Sequence, residues 1–541
     1  METAIALAAA GLLAVALAAV VGPRLHVPAP LVLVVLGVVV SVLPFVPVVE
    51  VPPELVLSGI LPPLLYSTSA AMPAMDLRRE LGAVSALSVA LVVVSALVLG
   101  WVFTLLVPDL PYSWAVALGA VISPTDAVAT SIAKQADVSH RVTAILEGES
   151  LLNDASALVL LRAAVAGSAT AVSLWGVAGQ FVLAVAVAVV VGLLVGRASV
   201  RVRGRVSDPT AATVISFTVP FAAALPAEAL GGSGLVAAVA AGLVVGRRGP
   251  RVLRPQQRRS DEENWATVSL VLEGAVFLLM GLEIAGIVSA AGGADVAVRA
   301  LGLAVVGLLG VVVVRTAVVA PLLGWLHLRS TRWQRARGRV EAMQERLAGG
   351  EPLPARGRSS RRRREVDVQR FGRRVRQVLA DIDYLAASPL GPREGAVVVW
   401  AGMRGAVTVA AAQTLPTGDD GPEQRSLLVL VAFAVAAVSL LVQGGTLSVL
   451  IRWLRPAVDD PEVLARERVE VLQLVRDSWA AVPPEAGEPD KQHRLRQLRA
   501  SRDALLDARD VGVHDADVLG GALAAVDAEE VALDLRGGPQ G

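Results

Sequence analysis

Apolar residues arrive in long unbroken blocks, without the alternation of a strand or the one-sided stripe of a surface helix. Leu31–Val40, Ala86–Leu99 and Phe181–Val195 lie in stretches that reach the roughly 20 apolar residues needed to cross a bilayer as a helix. Hydropathy marks thirteen such spans, near 3–22, 29–47, 54–74, 82–107, 112–133, 141–167, 173–196, 210–227, 231–246, 265–289, 296–326, 394–416 and 426–452. The first has Glu2 where a secretory leader carries basic residues, and its apolar run is too long for one, so it reads as a spanning helix. The connections sort by charge. One alternate set holds Arg24, Arg78, Arg79, Lys134, Arg141, Arg197, Arg201, Arg203, Arg205, Arg247 through Arg259 and the stretch 329–393, whereas the other set holds only Arg425. Basic residues mark the cytoplasmic side, which places the N-terminus outside and the C-terminus inside. Thirteen spans also allow two six-helix units of opposite orientation around one linking helix, as in inverted-repeat transporters, with the fifth and twelfth spans as counterparts.

Two regions break the apolar pattern. Residues 329–393 form a basic cytoplasmic loop with Arg361–Arg364 and a Pro/Gly-rich stretch 349–358, helical in part from Val366 to Ala386. It anchors topology and touches anionic headgroups. Residues 453–541 read as a helical cytoplasmic tail, with Leu495, Leu498, Leu505 and Leu506 at helical spacing, outside a transmembrane domain spanning 1–452. Composition agrees with a membrane protein: 54% of residues are hydrophobic and 18% charged, against about a quarter charged in soluble domains. The absence of cysteine excludes disulfides, thiolate metal sites and cysteine nucleophiles. Lysine occurs only at positions 134 and 491, an arginine bias that carries no function.

Ionisable groups at bilayer depth are functional-site hypotheses by default, and they concentrate in a few spans. The fifth span carries Ser123-Pro124-Thr125-Asp126, where proline removes a backbone donor and disfavours helix before it. A helix broken there turns carbonyls, Thr125 and Asp126 toward a cavity, because lipid tolerates no open backbone; on residues alone Asp126 reads equally as a structural acceptor in a kink. The sixth span carries Glu147, Glu149, Ser150, Asn153 and Asp154. Ser150 and Asp154 share one helical face and Glu149 and Asn153 the adjacent one, with Arg162 two turns beyond Asp154. Carboxylate, hydroxyl and amide oxygens suit alkali ions or protons and suit soft transition metals poorly. The twelfth span buries Arg404, for which Glu149 is the expected partner unless the guanidinium reaches a solvent cavity. Glu273, Glu283 and Arg315 are further core charges that suit a second, structural pair.

Ser123-Pro-Thr-Asp-Ala-Val-Ala, Glu147-Gly-Glu-Ser-Leu-Leu-Asn-Asp-Ala-Ser-Ala-Leu-Val-Leu and Trp400-Ala-Gly-Met-Arg-Gly-Ala-Val-Thr-Val-Ala together resemble bacterial sodium/proton antiporters of the first monovalent cation:proton antiporter family, the NhaP- and NHE-like exchangers. Leu61-Pro-Pro-Leu-Leu-Tyr and Val526-Asp-Ala-Glu-Glu fit the same family, so the resemblance covers nearly the whole chain. It implies an all-α membrane fold with inverted six-helix repeats and crossed broken helices, assembled as a homodimer in the bacterial plasma membrane. It implies that Asp154 carries either proton or cation, supported by Asp126 and Asn153, with Ser150 and Thr125 as further oxygen ligands, so that Na+ sits at Asp154, Ser150 and Thr125. Glu149 and Arg404 are the implied core pair, and asparagine before the aspartate implies electroneutral exchange. Two positions depart from the pattern. Ser67 stands where many relatives carry an acidic residue, and Ala127 stands where proline is common.

The expected activity is exchange of Na+, and of Li+, for H+ with no cofactor and no ATP; K+ is the alternative ion. The sequence has no Walker loop, which argues against a primary pump, and nothing in it points to a nucleic-acid partner. A channel fits a broken helix less well than alternating access does. An intramembrane aspartyl protease built on Asp126 and Asp154 needs carboxylates sharing one proton, and neither residue lies in a Gly-x-Gly-Asp sequence.

Overall fold

The computed structural model describes residues 2–25, 27–44, 51–136, 138–169, 174–291, 293–348, 361–417 and 421–536, whose regular structure is helical throughout. The helices are α1 (Glu2–Leu25), α2 (Ala29–Ser41), α3 (Leu61–Ala71), α4 (Ala74–Ser85), α5 (Leu91–Leu106), α6 (Tyr112–Ile122), α7 (Val128–Gln135) and α8 (His140–Ala169). They continue as α9 (Leu174–Arg203), α10 (Pro209–Ala229), α11 (Gly234–Val252), α12 (Pro255–Leu282), α13 (Ile284–Ala290), α14 (Ala294–Ala348) and α15 (Arg361–Ala387). The last are α16 (Pro392–Trp400), α17 (Ala406–Gln413), α18 (Arg425–Ser439), α19 (Gly445–Leu454), α20 (Pro461–Ala480), α21 (Asp490–Val511) and α22 (Ala516–Arg536). Wide π-helical turns at 55–60, 86–90 and 440–444 lead into α3, join α4 to α5 and join α18 to α19.

Among the described residues, each of the thirteen hydropathy segments falls on one helix or on helices in succession, and seven helical rods are long and apolar enough to cross a membrane. The ends differ where a helix runs on into water. α14 continues to Ala348, past the predicted 326, because a polar helix with ion pairs such as Arg337–Glu341 follows the apolar part without a breaker. α12 begins at Pro255, with Gln257 Oε1 accepting from the Arg254 amide at 3.0 Å, a start that hydropathy does not register. Residues 349–358 of the basic loop, and the side chains of Arg361–Arg364, lie outside the described residues.

The rods pack as two bodies. α1–α3 and α9–α12 pack chiefly on one another, and α4–α8, α14 and α16–α19 form the second group. The first body is held by glycine crossings: Gly192 and Gly196 of α9 lie against the Ala237 and Ala241 carbonyls of α11, and Gly242 and Gly246 of α11 lie against the Tyr66 and Ala70 carbonyls of α3. Both pairs are spaced Gly-x-x-x-Gly, the arrangement that lets apolar helices approach to backbone contact where no hydrophobic driving force separates helix from lipid.

α20–α22 pack together around Val471, Val475, Leu498, Leu505, Leu519 and Val526. This bundle touches both bodies. Arg79 donates to the Gly512 carbonyl at 2.5 Å and His140 Nδ1 lies 3.5 Å from Asp517; Arg251 bridges Asp507 and Asp510 at 2.8 Å, and Arg258 pairs with Asp527. The starts of α4, α8 and α12 and the end of α11 therefore share one face with the tail. The His140 contact holds the Asp517 carboxyl below the usual carboxylate range.

Replacing Gly242 by valine forces a Cβ into Ser69 and, at 2.6 Å, the Tyr66 carbonyl. We expect a loss of about 1–3 kcal/mol, seen as a lower melting temperature in detergent. Gly302→Ala, at a position with nothing within 4 Å, is expected to leave it unchanged.

Candidate functional site

Two interrupted helices meet in the second body. Pro124 supplies no amide to the Ala120 carbonyl, α6 stops at Ile122, and residues 123–126 run without helix to α7. α16 stops at Trp400, and Ala401–Gly405 runs to α17. The breaks cross at a backbone bond, from the Asp126 amide to the Met403 carbonyl, of 2.8 Å. A Cβ at position 405 would overlap the Asp126 carboxylate, so the crossing requires glycine there. Asp126 Oδ1 accepts from the Val128 amide at 2.9 Å, capping α7, where exposed amides favour an anion.

Arg404 serves the other side of this crossing. Its Nε donates to the Ile122 carbonyl at 2.7 Å, its NH2 reaches the Ser123 carbonyl at 3.3 Å and its NH1 faces the Gly402 carbonyl. Its amide donates to Ser439 Oγ at 2.8 Å. The guanidinium thus satisfies the carbonyls that α6 leaves open and offsets the negative end of that helix.

Glu149 is held by Arg315, whose NH1 and NH2 meet the two carboxylate oxygens at 2.5 and 2.7 Å while its Nε donates to the Val398 carbonyl at 2.9 Å. Both side chains are 1% exposed, so a fully desolvated fork-to-fork pair ties α8, α14 and α16 together. Thr125 Oγ1 donates to Glu149 Oε1 at 3.1 Å, and Asn153 Nδ2 donates to Thr125 Oγ1 at 2.6 Å and to its carbonyl at 3.2 Å. Asn153 Oδ1 is buried without a hydrogen-bond partner. Asp154 is 7% exposed and has no hydrogen bond or ion pair among the described residues; the charge it senses is that of Asp126. Ser150, one turn before it, donates to the Glu147 carbonyl at 3.1 Å, leaving an oxygen lone pair free.

Asp126 and Thr125 lie in the first break, and Ser150, Asn153 and Asp154 in the middle of α8. Several expected pairings are corrected. Arg404 does not pair with Glu149: it is spent on backbone carbonyls, and Arg315 takes the carboxylate. Arg315 is therefore not the partner of Glu273, which is half-buried and lies within electrostatic reach of Asp126. Glu147 is not a core charge, since two residues on a helix turn it about 200° from Glu149 and it pairs with the exposed Lys134. Glu283 accepts from the Val51 amide at 3.0 Å and from Gln413 at 3.1 Å, a structural role. Ser67 bonds Ser269 Oγ at 2.9 Å, joining α3 to α12. Arg162 is exposed. Sequence reasoning missed Ser439, which carries no signal beyond being one serine in an apolar span.

Arg315→Ala leaves Glu149 charged, buried and unpaired, a loss of about 3–5 kcal/mol that thermal unfolding in detergent checks. The double variant Glu149→Leu/Arg315→Met is expected to recover most of it. A loss in the double variant equal to the sum of the single losses would show that the two residues are not coupled.

Residues 11–343 match the family model described as sodium/hydrogen exchanger, transmembrane. An uncharacterized Na+/H+ exchanger of Mycobacterium bovis is 29% identical over 508 residues, covering 91% of this chain and 83% of its own. A sodium, potassium, lithium and rubidium/H+ antiporter of Bacillus pumilus is 30% identical over 267 residues, 48% of this chain and 40% of its own. The structure of the sodium proton antiporter MjNhaP1 from Methanocaldococcus jannaschii at pH 8 superposes with a TM-score of 0.58 at 16% identity, over 84% of this chain and 99% of that one, which shows a shared fold. With the family model matched over more than half of its length, the chain is a multi-pass membrane transporter of the sodium/hydrogen exchanger family.

Proposed function

We propose that the protein exchanges Na+, and also Li+, for H+ across the bacterial plasma membrane, one ion for one proton, with Asp154 as the carrier. The observation that supports this most directly is that Asp154 is buried with no countercharge among the described residues, while Arg315 and Arg404 are both committed elsewhere. A bare carboxylate is costly out of water, so it is held neutral by a proton or by a cation, and the two compete. The orphaned Asn153 Oδ1 and the free lone pair of Ser150 are hard oxygen ligands beside it; Asp126 and the second lone pair of the Thr125 carbonyl complete the set. If the second body moves against the first only when Asp154 is neutralised, each passage carries one proton or one cation, and exchange needs no other energy source.

The wider reading has thirteen membrane crossings in inverted six-helix repeats, with the N-terminus outside and the C-terminus cytoplasmic. Its support is the alternation of basic connections and the position of Arg79, His140, Arg251 and Arg258 on the face that meets the tail. The homodimer is carried over from the sequence resemblance alone, and the arginine-rich connections suit anionic headgroups. Potassium exchange is the second reading, because the Bacillus pumilus relative is named for potassium and rubidium as well as sodium and lithium.

In inverted vesicles from an antiporter-deficient host, added Na+ is expected to dissipate an imposed proton gradient. Asp154→Asn should abolish this while the protein still folds, and Asp126→Asn should impair it severely. Exchange retained by Asp154→Asn refutes the carrier assignment. No response to Na+, Li+ or K+ from pH 6 to 9 refutes exchange itself.

A further inference from the structure

A cavity of about 460 Å³ opens between the two bodies, lined among others by Glu54, Ser58, Leu158, Arg162, Glu228 and Ser233. It lies at the end of α8 remote from His140 and at the start of α11 remote from Arg251, so it faces away from the tail. Asp154, Leu158 and Arg162 follow one another at intervals of four and occupy one face of α8. The cavity thus lies on the line that leads from Asp154 to this surface.

Arg162 is an unusual residue for such a place. Its guanidinium makes no hydrogen bond or ion pair among the described residues. Arg162 lines the cavity beside Leu158, one turn further from Asp154 along α8. Two carboxylates face the same space. A Cβ on Gly234 would stand 2.6 Å from Glu228 Oε1, so this carboxylate lies over the N-terminus of α11. Glu54 is exposed at the approach to α3.

We propose that Arg162 is a specificity-determining residue for ions entering from this face, a positive charge on the approach to Asp154 set against the two carboxylates of Glu54 and Glu228. The inference rests on the antiport reading above and assigns a role to one side of it. Eight residues of helix separate Arg162 from Asp154 by about 12 Å. Because both residues ride on α8, that separation is the same in every state; what differs between the faces is the open cavity, where a lining charge changes the local concentration and on-rate of entering monovalent cations roughly tenfold. A divalent cation feels twice the repulsion, so the same charge favours monovalent over divalent ions.

The test is the apparent KM for Na+ of the full-length protein, measured separately at its two faces in right-side-out and inverted vesicles, with Mg2+ as competitor. Arg162→Gln is expected to lower KM roughly tenfold at the face bearing Glu54, to leave the other face unchanged, and to make Mg2+ a stronger inhibitor at the first face only. Arg162→Lys should behave as wild type, and Glu228→Gln should raise KM at the first face, so the opposed signs keep the test decisive even if one variant folds poorly. An unchanged KM, or equal shifts at both faces, overturns the inference and leaves antiport standing. Wild-type vesicles without cation-driven proton flux overturn the antiport reading and this inference with it.

Discussion

Two arginines buried among apolar helices fix what every other charge in the core can do. Arg315 is consumed by Glu149 and the Val398 carbonyl, and Arg404 by the carbonyls of Ile122 and Ser123. Each resolves a problem created by a broken or charged helix: an anion without water in one case, an open helix end in the other. Neither is left for Asp154. Had either guanidinium reached it, the carboxylate would be permanently neutralised and no longer need a proton or a cation. The uncompensated charge of Asp154 is therefore a product of the two compensated ones.

The same arrangement separates rigidity from motion. Glycine contacts lock α9, α11 and α3 of the first body at backbone distance, while the ion pair and the crossed breaks bind α6, α7, α8, α14, α16 and α17 of the second. Between them lies a looser seam, which opens into a cavity on one face and is bridged on the opposite face by tail residues bound to Arg79, His140, Arg251 and Arg258. Asp154, the proposed carrier, sits on α8, whose two ends reach these two environments.

Much of this was legible in one dimension. Pro124 announced the first break and the apolar blocks announced the helices, because both are local consequences of backbone chemistry and burial. The oxygen set on α8 followed from helical spacing. The partner of Glu149 was not legible: Arg315 lies 166 positions away, and two buried arginines offered themselves with nothing in the pattern to choose between them. Glu147 and Glu149 look alike in sequence but face different environments, and only the surroundings distinguish the surface pair with Lys134 from the core pair. The extension of α14 and the docking of the tail escaped hydropathy because polar helices in water leave no apolar signature.

Exchange by one carboxylate that either ion neutralises requires that cation binding displace the proton. Purified protein in weakly buffered detergent solution, titrated with NaCl against choline chloride, should release one proton per Na+ bound, and Asp154→Asn should release none. Na+ binding at full stoichiometry without proton release, or release undiminished in Asp154→Asn, would contradict it.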